Sequence, residues 1–430
     1  MRTPKKSAIR PTSGPADRPA DDEIWPRVTR ELADDLAVDA PARDRAGKPP
    51  FDEVARLREA GLPALLTPPG PSRRGADWRA ACAVIREISA ADSSIGELLA
   101  HHYVLSWTAR FLSGGGGAPG TPESLEDRTT QERWLLAGGI EPSRTGAEPE
   151  LTLTPSDDGY VLDGRRSFSS GVAVADRLIV GARCTGSGDL LVALVDPADP
   201  AVFTDAATDR IGQRLAGAGT VTFDQVPVDA RDILGALPRD EHAVAPFTTL
   251  APLALRLLLV HVGLGIAEGA LAEARDISRA AQAAPPPADP RADADAYPVG
   301  GGEDPYLLLA YGELATAAHA AAAVVERATE ALARGLVAER SLGVEERADI
   351  AVLVAAAEAV TGGSAVRITT RILELVDTTE AADTAGGGPG FDRFWRNART
   401  LTAHSSPAHR LRDIGDHYLN GTHPRLTLRA

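Results

Sequence analysis

The side chains here best suited to moving a proton near neutral pH are histidines, and three stand out by context. His101 and His102 are adjacent, shortly after Ala90-Ala-Asp-Ser-Ser-Ile-Gly96. His404 lies in Thr402-Ala-His404-Ser-Ser406, just after Phe391-Asp-Arg-Phe-Trp-Arg-Asn-Ala-Arg-Thr400. An imidazole can hold or release a proton near pH 7, which suits general acid–base work. A lone histidine is more often a satisfied structural residue than a catalyst, so its surroundings must decide. Neighbouring helical residues do not share a face, so only one of His101 and His102 can point into a given site. His409, His417 and His423 are expected at the surface. Ser170, in Asp163-Gly-Arg-Arg-Ser-Phe-Ser-Ser-Gly171, is either a turn serine bonded to backbone or a site hydroxyl. Trp395, Arg396 and Arg399 suit packing as well as they suit a site.

Other chemistries lack their residues. Cys82 and Cys184 stand in unrelated contexts without metal or redox spacing, so no metal site is expected and a reduced, cytoplasmic protein is the simplest account. A phosphate loop at Gly114–Gly117 would need Gly-Lys-Ser/Thr entering a helix, and none follows. Gly263-x-Gly265 with Gly269 falls inside a helical pattern instead of after a strand, so it reads as close helix packing and not a dinucleotide fingerprint. The net charge of −15 opposes nucleic-acid binding. The most apolar stretch, 251–266, is interrupted by Arg256 and His261, and no stretch is read as a membrane span. The basic N-terminus (Arg2, Lys5, Lys6, Arg10) lacks the apolar segment of a secretory signal.

The elements that must position these residues fall into blocks. A chain of 430 residues predicts two or three packed units. Residues 1–20 are expected to be a disordered tail. Residues 21–133 are expected to be an α-helical domain, with stripes at Phe51, Val54, Leu57 and Leu62 and at Trp78, Cys82, Ile85 and Ile88. Residues 134–238 read as a β-domain: Leu151–Thr154, Tyr160–Leu162, Arg177–Val180, Leu190–Val195, and Thr220–Phe223 leading to Val226–Val228. Residues 239–430 read as a helical bundle. Leu253, Leu257, Val260, Leu264 and Ala267 share one helical face, and long Ala-rich helices follow over about 305–336 and 345–377, after a Pro-rich linker at 285–290.

This order, helical domain then β-domain then four-helix bundle, resembles the acyl-CoA dehydrogenase superfamily, an α+β fold. The 163–171 motif, on a turn followed by a strand, and Gly212-x-Arg214 with Gly219-x-Val221-x-Phe223-x-x-Val226-x-Val228 look like its middle domain. The 391–400 segment with His404, Gly415 and Asn420-Gly421, together with the 90–96 segment leading to His102, resembles the dibenzothiophene monooxygenase branch of two-component, FMN-dependent enzymes. Many acyl-CoA dehydrogenases carry a catalytic glutamate just after an Arg-Asp-Ala-Lys-like stretch. Here Arg396-Asn-Ala-Arg399 is followed by no carboxylate, which leaves α-proton abstraction without an agent there.

The resemblance implies reduced FMN from a separate NAD(P)H:flavin reductase, a C4a-hydroperoxide formed with O2, and oxygenation of a small apolar aromatic or sulfur- or nitrogen-containing substrate, in secondary metabolism or sulfur scavenging. It implies a homotetramer. It places His102, Ser170 and His404 at the flavin's reactive edge, the histidines for proton transfer and Ser170 near N5. Phe168 and Ser169 would line the ring or its ribityl chain, and Asn397 joins the cofactor-binding set. Three positions depart from the branch. Gly138 stands where a ring-contacting asparagine is usual, and Ala284-Pro285 replaces an Arg-Pro, leaving Arg279 as the nearest arginine. An acidic stretch from Asp377 to Asp383 replaces a Gly-Ala-Arg-like turn. These departures motivate one alternative, a flavin-free acid–base enzyme on the same fold with no cofactor. A non-catalytic binding subunit and an FAD-dependent acyl-CoA dehydrogenase are the others.

Overall fold

The apolar stripes at the start of the chain become helices α1 (Ile24–Ala37), α2 (Ala40–Ala46), α3 (Phe51–Glu59), α4 (Trp78–Ala91), α5 (Ser93–Ser106), α6 (Thr108–Leu112) and α7 (Leu125–Gln131). This computed structural model describes residues 24–67, 75–113, 124–140, 150–207, 209–237, 244–283, 305–377, 390–403 and 407–424. The tail at 1–20, the glycine loop at 114–117, the Pro-rich linker and His404 lie outside the described residues. Helix α5 is nearly all buried, and Asp92 caps it by accepting from the backbone N–H of Ser94 at 3.1 Å and Ile95 at 3.4 Å. Arg43 holds that cap in place with an ion pair of 3.0 Å to Asp92.

The middle of the chain is one mixed sheet: β1 (Leu136–Gly139), β2 (Thr152–Ser156), β3 (Gly159–Phe168), β4 (Arg177–Cys184), β5 (Leu190–Val195), β6 (Val202–Ala206), β7 (Gly219–Asp229) and β8 (Ile233–Leu237). The order is β6-β7-β3-β2-β4-β5-β8, with β1 parallel to β4 beside that path. The two segments expected at 220–223 and 226–228 are one strand, β7, which continues through a left-handed Gln225 (φ 57°). The 163–171 motif is not a turn followed by a strand. The turn comes earlier, after Ser156; Asp163 to Phe168 finish β3 after a register shift at Leu162/Gly164, and a loop follows. Strands β1, β6 and β8 carry no alternating pattern: β1 ends on Gly138-Gly139, β8 is interrupted by Gly235, and β6 leaves Phe203 exposed.

The last part holds three helices of 34 residues each, α8 (Leu250–Ala283), α9 (Pro305–Ala338) and α10 (Val344–Asp377), then α11 (Asp392–Ala403) and α12 (Pro407–Asn420). One core joins them to the N-terminal helices: Ile85 and Ile88 of α4 share it with Leu257 and Leu264 of α8 and Val354 of α10. Gly265 and Gly269 bring α8 close to α4, because a Cβ at either would strike the backbone of Arg86 or Ala90. The reading that no segment could span a membrane needs correction. By length and composition three qualify: Leu250–Ala280, Pro305–Ser341 and Val344–Leu375. The first is 78% buried within the fold. Its interrupting polar groups are answered by neighbouring helices, Arg256 by Glu358 at 2.9 Å and His261 by Thr329 at 2.9 Å.

Candidate active site

A cavity of about 360 Å³ opens where α5 and α8 face the sheet, with the end of α11 at one side. Its helical wall is apolar, with Val104, Leu105, Phe111, Leu255 and Leu259. Its sheet-side wall is backbone and short side chains at Gly138, Gly139, Ser167 and Ser169, with the ring of Phe168 among them. Thr400 and Leu401 of α11 contribute the side. The polar and charged groups on it are Glu97, His101, Thr108, Arg166 and Arg210, besides the serines and Thr400.

The structure decides between the two adjacent histidines. His102 points away from the cavity and is 0% exposed. Its Nε2 bonds to the carbonyl of Pro63 at 2.8 Å, and its Nδ1 accepts from the backbone N–H of Leu136 at 3.0 Å. Both ring nitrogens are used, which fixes the Nε2–H tautomer. Burial lowers its pKa to about 4, so the ring stays neutral. The geometry thus assigns His102 a positioning task, because it ties β1 to α5 two residues before Gly138. The expectation that it works on the reacting groups does not fit this position.

His101 lines the cavity. Its Nδ1–H donates to the carbonyl of Glu97 at 2.9 Å, one turn earlier in α5. In the neutral ring Nε2 is then an acceptor, and the hydroxyl of Ser169 donates to it at 3.4 Å. Burial holds His101 below the ordinary imidazole value, and Arg210 acts in the same direction.

The serine pair shows the same one-residue offset. Ser170 is buried, and its Oγ donates to the carbonyl of Ala216 at 3.1 Å, so it closes a loop and is not a cavity hydroxyl. Ser169 is the one on the cavity. Asn397 also departs from its expected role. It is buried off the cavity, donating from Nδ2 to Ser93 Oγ at 2.9 Å and accepting at Oδ1 from Gln213 N–H at 2.7 Å. It is a strut between α11, the start of α5 and the 212–214 loop. Arg279 is exposed on α8 and lines no part of the cavity.

Three charged residues that sequence reasoning missed stand on the wall. Glu97 sits four residues before His101 on the same helical face, 4% exposed, and its Oε2 has no hydrogen-bond partner among the described residues. Burial raises its carboxyl to about 7, with Arg210 opposing the shift. Arg210 donates to the carbonyls of Ser169 at 2.8 Å and Gln213 at 3.4 Å. Arg166 donates to the carbonyl of Gly139 at 3.2 Å. Glu97 was legible in principle, as a lone carboxylate in an apolar helix; the arginines had no such signal.

The cavity fits the reduced flavin that the resemblance implies. A flavin ring needs apolar contact on its faces and hydrogen-bond groups along its edge, and the two walls differ in that way. Gly138 takes a left-handed conformation (φ 121°), and a Cβ there would run into the carbonyl oxygen of Ile179. Glycine is therefore required by β1–β4 pairing, and it leaves bare backbone towards the cavity. Arg166 and Arg210 supply positive charge for a phosphate.

No protein-family model matches the chain. It is 31% identical over 438 residues to dibenzothiophene monooxygenase of Rhodococcus qingshengii, covering 98% of each chain. It is 30% identical over 402 residues to "Probable FMNH2-dependent monooxygenase SfnC" of Pseudomonas putida, covering 92% of this chain and 95% of that one. The structure of TdsC from Paenibacillus sp. A11-2 in complex with FMN and indole matches with a TM-score of 0.82 at 30% identity, over 94% of this chain and 99% of that one. The chain shares its fold with butyryl-CoA dehydrogenase of Megasphaera elsdenii (TM-score 0.70 at 17% identity), and it belongs to the dibenzothiophene monooxygenase branch of the FMNH2-dependent monooxygenases.

Proposed function

We propose that the cavity binds reduced FMN along its sheet-side wall and a small, largely apolar aromatic or sulfur- or nitrogen-containing substrate along its helical wall, and that one atom of O2 is inserted into that substrate. The observation that carries this reading is His101, a neutral imidazole on the cavity whose Nε2 accepts from Ser169. When bound, reduced FMN supplies the two electrons that let one oxygen atom enter product and the other leave as water.

The chain's own residues divide the remaining work. Gly138 and Gly139 offer backbone to the ring edge, and Phe168 packs beside it. Ser169 takes the hydrogen-bonding role that the resemblance implies for Ser170. His101 takes up and returns a proton at Nε2, the role the resemblance implies for His102. Arg166 and Arg210 balance the phosphate, in place of Arg279. His404 keeps the second proton-transfer role that the resemblance implies; Thr400 and Leu401, shortly before it in the chain, line the cavity and support that assignment. The apolar helical wall keeps water from the reacting groups.

A separate NAD(P)H:flavin reductase would deliver the cofactor in the cytoplasm. A homotetramer is favoured by apolar side chains left exposed on α9 and α12, among them Leu308 (60%), Leu309 (61%), Val337 (79%) and Leu419 (81%).

The test is an anaerobic titration with oxidised and dithionite-reduced FMN, followed by turnover of indole or dibenzothiophene under 18O2 with a generic reductase. Tight binding of the reduced form and one labelled oxygen in the product are expected. No binding of either flavin form would overturn the reading.

A further inference from the structure

The helical wall of the cavity is apolar apart from Thr108 and the two groups α5 places one turn apart, Glu97 and His101. Glu97 is 4% exposed, and among the described residues its Oε2 has no hydrogen-bond partner and no lysine or arginine forms an ion pair with it. Arg210 is the cation whose charge reaches it, and Arg210 is fastened instead on the carbonyls of Ser169 and Gln213. Ionising a buried carboxyl whose Oε2 has no partner among the described residues is costly, and a cation entering the cavity offsets that cost. Arg166 and Arg210 already supply donors for an anionic or acceptor-bearing ligand. Glu97 is the anionic acceptor of the wall, and charge-assisted hydrogen bonds are about twice as strong as neutral ones.

We propose that Glu97 is the seat for a protonated nitrogen, so that the substrate is a ring-sized apolar molecule bearing a basic amine. The inference rests on reading this cavity as the substrate site. The seat and the Nε2 edge of His101 lie on one helical face about 6 Å apart at their Cβ atoms, so a small aromatic amine spans both. Burial holds the carboxyl near 7 without a ligand, so pairing with a cation ionises it and releases a proton.

The experiment is calorimetric titration of the FMN-loaded and flavin-free protein with tryptamine and with tryptophol, which keeps the ring and replaces the ammonium by a hydroxyl. Wild type is expected to bind tryptamine about tenfold more tightly than tryptophol, with proton release seen as a heat that depends on the buffer. Glu97→Gln is expected to abolish the preference, with tryptamine binding no more tightly than tryptophol. Equal or weaker binding of tryptamine by wild type, no binding of it, or a preference that survives in Glu97→Gln overturns the proposal. The wild-type comparison needs no variant to fold. Turnover of indole with reduced FMN is read separately: its absence beside an intact amine preference sinks the monooxygenase reading alone, and its presence without the preference sinks the amine seat alone.

Discussion

Exchanging the adjacent histidines one at a time separates a structural ring from a working one. His102→Ala removes the partners of the Pro63 carbonyl and the Leu136 N–H, both in the core. Leaving a buried backbone group unsatisfied costs about 1–3 kcal/mol, so two such groups cost about 2–6 kcal/mol. His101→Ala removes the bond to the Glu97 carbonyl, which remains part of the α5 backbone ladder, and the long bond from the Ser169 hydroxyl, which is left facing the cavity, so the loss is about 1 kcal/mol. Activity should follow the opposite order. Losing the proton-transfer group at Nε2 is expected to lower turnover by about 10²- to 10⁴-fold in His101→Ala. His102→Ala, assayed where it is folded, should lose less. Urea unfolding and coupled turnover with FMN, NADH and a reductase measure both quantities. The pH dependence gives a second check. The folded pKa of His102 is lowered to about 4, so its contribution is present above the unfolded value near 6.5 and is lost as pH falls towards 4. That difference is of the order of about 3 kcal/mol and should vanish in His102→Ala. The reasoning is refuted if His101→Ala turns over within twofold of wild type, or if His102→Ala unfolds at the same urea concentration as wild type.

Glu97 should show the opposite pH sign. Its folded pKa is raised to about 7, so in ligand-free protein stability falls as pH rises from about 4.5 through 7, by roughly 3 kcal/mol relative to Glu97→Gln in urea unfolding at pH 4.5 and 8. Gly138→Ala forces an L side chain into a left-handed conformation and against Ile179; strain alone costs about 1–3 kcal/mol, and FMN affinity measured by flavin fluorescence should fall with it. Ser169→Ala should lower turnover with little change in unfolding free energy, and Ser170→Ala should lower that free energy by about 1 kcal/mol through its lost bond to Ala216, so equal effects of the two on turnover would contradict the placement. Native mass spectrometry should give four times the 44.9 kDa subunit; a monomer would remove the tetramer and leave the exposed residues of α9 and α12 without a function.

How far the sequence could be read follows from what its patterns encode. Periodicity fixed the long elements, because a helix such as α8 repeats its apolar face many times: Leu253, Leu257, Val260 and Leu264 all turn inwards. Strands β1, β6 and β8 lack such a repeat, β1 and β8 being interrupted by glycine and β6 exposing Phe203, and β1 forms part of the cavity's sheet-side wall. Motifs put Gly138, Phe168 and Ser169 on the cavity and missed by one residue at His102 and Ser170. His101 and His102 leave α5 in directions too different to serve one task, yet nothing in the string Ala100-His-His-Tyr103 says which side faces the sheet. That choice is made by packing at a distance: Pro63 and the N–H of Leu136 each need a partner, and only the ring of His102 reaches both. Ser169 and Ser170 are divided the same way, by the Ala216 carbonyl that Ser170 satisfies. Asn397 was drawn to the site by its motif and is held off it by Ser93 and Gln213. In the two adjacent pairs, histidine and serine, a buried backbone group claims the neighbour of the residue on the cavity. The residue left over, with an uncommitted polar edge, is the one on the cavity. Glu97 is the extreme of that rule, since its carboxyl Oε2 has no claimant among the described residues, and an amine-bearing substrate is the group that would claim it.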